Sequence, residues 1–431
     1  MRRGSRSDAP READERQGAR PSDLHGDHET AHTGSAASTA HTGSTGSTGD
    51  TASTVRPTGL IGNPPAVATV GFASFAGRHG AGVVECIDLT VDSARLAEGL
   101  WFVVADFEDP SHGGRARAWR FAHHGRTGAD VPPDVAPSGG ESDWRGPARD
   151  AWRSSLSRDE YQAAVAAVRH AVHEGDVYQA NICRVLAAPL PAGDREPDAR
   201  ALARILAAGN PAPYAGAVHV PAASGIDPVW VVTASPELFL RLEDGVLSSG
   251  PIKGTAPTVD GLREKDRTEN VMITDLVRND LQRVSEPGSV EVTDLLAVEA
   301  HPGLVHLVSR VQGRATADED APGGLWGQVL DATFPPASVS GAPKSSALRI
   351  IRELERGPRG PYCGAIGWID GDMGEAELAV GIRTFWWTDD ELRFGTGAGI
   401  TWGSDPAEEW AETELKAARL VALASGEPAA D

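Results

Sequence analysis

The chain opens without any hydrophobic periodicity. Residues 1–57 hold no Trp, Tyr, Phe or Ile and are rich in Gly, Ser, Thr, Asp and His, with HTGS at 32–35 and again at 41–44. Such a segment buries too little apolar surface to offset its ordering entropy, so a disordered, solvated tail is expected. The pattern changes near Leu60. Runs of β-branched and aromatic residues within AVATVGFASF, VVECIDL and LWFVVADF predict short strands between 67 and 107. A polar, Gly- and Pro-rich stretch over 125–150 predicts a loop or linker. The chain thus divides into a tail (1–57), an N-terminal lobe with linker (58–150) and one long α+β unit (151–425).

That long unit alternates helical and strand periods. Ser157 and Glu160 fit a capping box, and Tyr161, Val165, Val168 and Val172 follow at helical spacing until Gly175. A strand is predicted over 177–186, with more at 229–233, 237–242 and 246–252. Helices are predicted over about 264–283 and 344–356. Segment 363–387 reads as a hairpin turning at Asp370-Gly371. A strand at 393–400 precedes a last helix from Ser404 to about Ala424.

Composition narrows the function. The formal net charge is −21, from 61 Asp and Glu against 40 Lys and Arg. No basic stripe offers to neutralise phosphates, which argues against nucleic acid. An anionic small substrate would be repelled unless local cations or a metal gather it. The three cysteines, Cys86, Cys183 and Cys363, form no CxxC pair, so no disulfide framework or structural zinc site is expected. No apolar run is long enough to span a membrane, and a cytoplasmic location is the default reading.

Several residues then stand out. Glu269 shares a helix face with Met272, Ile273 and Leu276, where a carboxylate needs a counter-charge: a boundary salt bridge or a metal. Glu409, Glu412 and Lys416 share a face of the last helix. Glu412 and Lys416 fit an ordinary i, i+4 pair, and equally half of a magnesium site built from carboxylates and an anionic substrate. GTGAG at 395–399 lets a backbone approach a ligand, or marks a bulge. Arg383, after the apolar run ELAVGI, suits bidentate capture of a carboxylate, or an outward charge. Lys253 sits in SGPIKGT, solvated or held as a nucleophile.

Ordered blocks along 150–425 settle which readings belong together. They are ASPELFLRLEDG, SGPIKGT, EKDRTENVMITDLVRNDLQRVSEPGSV, HLVSRVQG, TFPPASVSGAPK, YCGAIGW, GIRT, GAGI and EEWAETELKA. Together they resemble the chorismate-utilising enzymes, which include anthranilate, aminodeoxychorismate, isochorismate and salicylate synthases. The resemblance implies an anthranilate synthase component I-like fold, with two packed antiparallel β-sheets, outer helices and a site in the cleft between them. It implies Mg²⁺ held by Glu269 and Glu412 with Glu409 nearby. It implies that Arg383, Tyr362, Lys416 and the backbone from Gly397 to Gly399 hold carboxylates. Glu237 would be the general acid for the departing 4-hydroxyl, with His306 near that hydroxyl and Thr255 and Ser340 lining the pocket.

Two positions bear on which branch is meant. Water-activating members carry a lysine where Gln179 stands here. Lys253 in PIKGT resembles the aminodeoxychorismate synthases, whereas anthranilate synthases carry alanine there. That branch adds ammonia, received from a separate glutamine amidotransferase chain, to chorismate for p-aminobenzoate and folate synthesis. Anthranilate synthase component I is the alternative, and a non-catalytic chorismate-binding protein a further one. Thr258 departs from the pattern, standing where the family often has Arg.

Overall fold

The computed structural model describes residues 70–126, 144–190, 196–256, 258–301, 304–316, 318 and 321–427. The tail expected over 1–57 and most of the 125–150 linker lie outside them. Strands are β1 (Phe72–Phe75), β2 (Arg78–Asp88), β3 (Leu100–Ala105), β4 (Ala116–Arg126), β5 (Arg153–Ser154), β6 (Gln179–Pro189), β7 (Tyr214–Val220), β8 (Val229–Ser235), β9 (Leu238–Glu243), β10 (Val246–Gly250), β11 (Ile252–Ala256), β12 (Glu291–His301), β13 (Leu304–Arg314), β14 (Gly341–Ala342), β15 (Ala365–Asp370), β16 (Glu375–Val380), β17 (Thr384–Thr388) and β18 (Glu391–Ile400). Helices are α1 (Leu89–Asp92), α2 (Arg158–Glu174), α3 (Ala199–Gly209), α4 (Glu264–Gln282), α5 (Gly324–Thr333), α6 (Lys344–Leu354) and α7 (Pro406–Ala424).

All named strand pairs are antiparallel and trace one path with two halves. The first runs β6-β18-β17-β8-β7, with β5 and β14 also on β6. The second runs β4-β3-β15-β16-β9-β10-β13, with β11 and β12 on β13. The β1–β2 hairpin joins them, β1 pairing with β7 and β2 with β4. The expected pair of antiparallel sheets is thus present, stitched into one hydrogen-bonded network. The strands of the expected N-terminal lobe belong to that network too.

Burial explains the layering. A main core cluster draws on both halves, including Phe102, Val104, Leu240 and Leu378 from one and Val218, Val220 and Val231 from the other. A second cluster lies under α3 and α7, where Leu202, Leu206, Leu420 and Leu423 cover Trp230, Phe385, Leu392 and Phe394. Apolar burial on this scale is the main favourable term of the fold. The α2 start is as expected: Ser157 and Glu160 close both bonds of the capping box, and Gly175 ends the helix in the left-handed region. Asp370-Gly371 lies at the β15–β16 turn. The 363–387 hairpin ends earlier than expected, because β17 leaves β16 and pairs with β8 and β18.

Candidate active site

The second half supplies the acid and the amine. Glu237 precedes β9 and is only 4% exposed. Burial pushes its carboxyl up to about 7, against the opposing pull of a Ser338 hydrogen bond, the Lys253 charge, the Ile252 amide and Lys416. Lys253, on β11, donates from Nζ to the Ser338 carbonyl at 2.9 Å. Ser338 therefore touches both groups, the lysine through its main chain and the glutamate through its hydroxyl. Ser340, not Ser338, is the serine expected from sequence to line the pocket. The Ser340 hydroxyl is turned into its own turn, donating to Pro336 O at 3.0 Å. Thr255 Oγ1 and His306 Nδ1 lie 2.8 Å apart across the β11–β13 pair. Thr258 is exposed beyond that strand.

The glycine strand comes from the first half. Gly395, Gly397 and Gly399 lie along β18 against β6. A Cβ at Gly395 would enter the Tyr362 ring, one at Gly397 would meet Cys183 Sγ, and one at Gly399 would strike the Gln179 carboxamide and come 3.4 Å from Lys253 Nζ. The glycines therefore let Lys253 and Gln179 approach the strand face-on. Gln179 is fully buried, and neither end of its carboxamide has a hydrogen-bond partner among the described residues. Tyr362 is placed below this strand. Burial first, then Cys183 and Cys363, raise its phenol well above the ordinary value.

Arg383 sits between β16 and β17 with φ +53, in the left-handed region a non-glycine residue enters only at a cost of about 1–2 kcal/mol. Its carbonyl accepts from Ala234 N at 3.0 Å, which fixes the kink. Burial lowers its guanidinium's pKa, and no carboxylate among the described residues offsets that burial. A half-buried guanidinium without an anion has the geometry to take a carboxylate bidentately.

The acidic corner is formed by α4 and α7. Glu409 is 3% exposed. Lys265 Nζ lies 3.0 Å from Glu409 Oε1 and 3.6 Å from Glu269 Oε1. Burial pushes the Glu269 carboxyl up, with Lys253 and Lys265 opposing, and its Oε1 has no hydrogen-bond partner among the described residues. Burial also opposes ionisation of Glu412, yet Lys416, Lys265 and Lys253 outweigh it and hold the carboxyl below its ordinary value. Lys416 makes the i, i+4 pair with Glu412 at 2.6 Å and donates to Gly397 O at 3.0 Å. Among the described residues no three acidic, imidazole or thiol groups close into a finished metal cage. Hard oxygen donors and an orphaned buried carboxylate oxygen nonetheless fit a magnesium ion. Lys265, which sequence reasoning did not single out, lies within this corner.

The family model for chorismate binding enzymes matches residues 63–422. Aminodeoxychorismate synthase component 1 of Klebsiella aerogenes is 37% identical over 283 residues, covering 63% of this chain and 59% of that protein. Anthranilate synthase component 1 of Streptomyces coelicolor is 38% identical over 292 residues, covering 65% and 54%. The alignments thus span little more than half the length of these relatives. Anthranilate synthase component I from Streptococcus pneumoniae shares the fold at a TM-score of 0.64 and 21% identity, over 85% of this chain and 95% of that one. The menaquinone-specific isochorismate synthase from Escherichia coli does so at 0.65 and 18%, over 83% and 89%.

Proposed function

Because the chain belongs to the chorismate-binding enzyme family, we propose that it is an aminodeoxychorismate synthase component, converting chorismate and ammonia to 4-amino-4-deoxychorismate. One observation carries this reading beyond the family: an amine, Lys253, and a buried acid, Glu237, share Ser338. The rival reading, anthranilate formation, draws on a relative of 38% identity against 37%.

Arg383 binds a substrate carboxylate, since burial leaves its charge without a partner. Glu237 holds its proton near neutrality and gives it to the C4 hydroxyl, which leaves as water. The Lys253 amine, in its neutral form, bonds to C2 as the C4–O bond breaks and the ring double bonds shift. Ammonia then bonds to C4, the double bonds shift back, and the C2–N bond to Lys253 breaks. The lysine leaves as the neutral amine, and the one surplus proton of the ammonium formed at C4 returns to Glu237. Gln179 stands at Gly399, where the water-activating branch carries its lysine. Glu269, Glu409 and Glu412 would hold Mg²⁺, which when bound neutralises the second carboxylate. A partner subunit that supplies the ammonia belongs to this reading, and the relatives' being component 1 of their enzymes supports it. The test is product identification from chorismate, Mg²⁺ and ammonium. 4-Amino-4-deoxychorismate supports the reading, anthranilate replaces it, and turnover of neither removes it.

A further inference from the structure

The acidic corner between α4 and α7 already contains a cation of its own. Lys265 starts from the first turn of α4, and the i, i+4 geometry of that helix brings it toward Glu269. Its ammonium also reaches across to α7 and meets Glu409, a residue 144 positions away in the chain and almost fully buried. This cross-element contact separates it from a surface pair, because a buried carboxylate needs a counter-charge. The two distances differ in kind. At 3.0 Å from Glu409 the ammonium donates a hydrogen bond, whereas at 3.6 Å from Glu269 Oε1 it offers only Coulombic attraction. Lys265 thus neutralises the pair without satisfying the Glu269 oxygen.

A divalent ion held by Glu269 and Glu409 would need the same space. It brings twice the charge and also takes substrate oxygens, which an ammonium with donors only cannot bind. The Lys265 side chain is 31% exposed, so its flexible stem has a route to water. We propose that Lys265 is the resident counter-cation of the Glu269–Glu409 pair, displaced when a divalent metal binds, and that it sets the metal affinity of the site. This rests on the reading that these carboxylates hold Mg²⁺. The exchange keeps the buried acids compensated before metal arrives, at the cost of weaker binding.

The test is calorimetric titration of the full chain with MgCl₂ at pH 8 without substrate, alongside melting curves in chelator and in saturating Mg²⁺. Lys265→Met is expected to bind Mg²⁺ about tenfold more tightly than the parent, since the variant removes the unit positive charge that the incoming ion must displace. It should melt lower than the parent in chelator and gain more from Mg²⁺. Lys265→Arg, which retains the charge, should not gain affinity. Lys265→Gln, able to keep a hydrogen bond to Glu409, serves if the Met variant does not fold. Equal or weaker binding by the neutral variants overturns the displacement proposal while leaving the metal reading intact. If neither parent nor neutral variant binds Mg²⁺, both fall together.

Discussion

A carboxyl buried as deeply as that of Glu237 gains a proton that the unfolded chain gives up near pH 4.3, the ordinary glutamate value. Its folded value is about 7, so its stabilising contribution is complete at low pH and is lost as pH rises through about 7. Glu237→Gln removes that dependence. Its melting temperature should therefore rise relative to the parent between pH 5.5 and pH 8.5, and a parallel pair of curves would refute the shift. Activity carried by the protonated acid should fall over the same range. Lys253→Met should abolish any covalent adduct seen by intact mass after incubation with chorismate and Mg²⁺ without ammonia. Unchanged 4-amination by that variant would refute the nucleophile. Glu269 was legible as a carboxylate on an apolar face, since burial forces a partner. Ser338 was not, because it acts partly through a main-chain carbonyl, which every residue owns. Lys265 was not either, since a lysine in a first helical turn reads as solvated until its distant partner is known.

At the scale of elements, helix starts were the easiest to read. The capping box of α2 is local chemistry satisfied within three residues, whereas α7, expected from Ser404, starts at Pro406 behind an Asp405 cap. Helices α3 and α5 went unread. The first has an Asp198 cap that could have found it, while the second begins behind a left-handed glycine with no side-chain cap. GTGAG left two readings open. The β18–β6 register runs through the glycines without a bulge, and the side chains of Tyr362, Cys183 and Gln179 pack close against them. Gly395→Ala should therefore cost about 1–3 kcal/mol, as overpacking of a filled core does, measured as a lower urea midpoint. A neutral result would mean that Tyr362 yields readily.

At the scale of the whole molecule, the proposed amination requires a source of ammonia. A glutaminase nucleophile must be an accessible, activated thiol. Here Cys183 and Cys363 are buried in the core, and burial pushes the Cys86 thiol up to about 12. The chain alone is expected to turn over chorismate with ammonium and not with glutamine, and glutamine-dependent product from the pure chain would refute this. No helix among the described residues is long and apolar enough to cross a membrane. The α+β class was readable because strand and helix periods are local. The joining of both halves through β1 and β2 was not, since register between distant strands leaves no local mark.

The pairing of β18 with β6 has one more effect. Asn181 and Gly399 are neighbours in space but roughly two hundred residues apart along the chain. During synthesis β6 leaves the ribosome long before its partner exists, and at about 5–20 residues per second the wait lasts on the order of ten seconds or more. The surface of β6 that later faces the glycines stays uncovered throughout. The two strands can therefore pair only once both have been synthesised, and the nascent chain has to avoid aggregation until then.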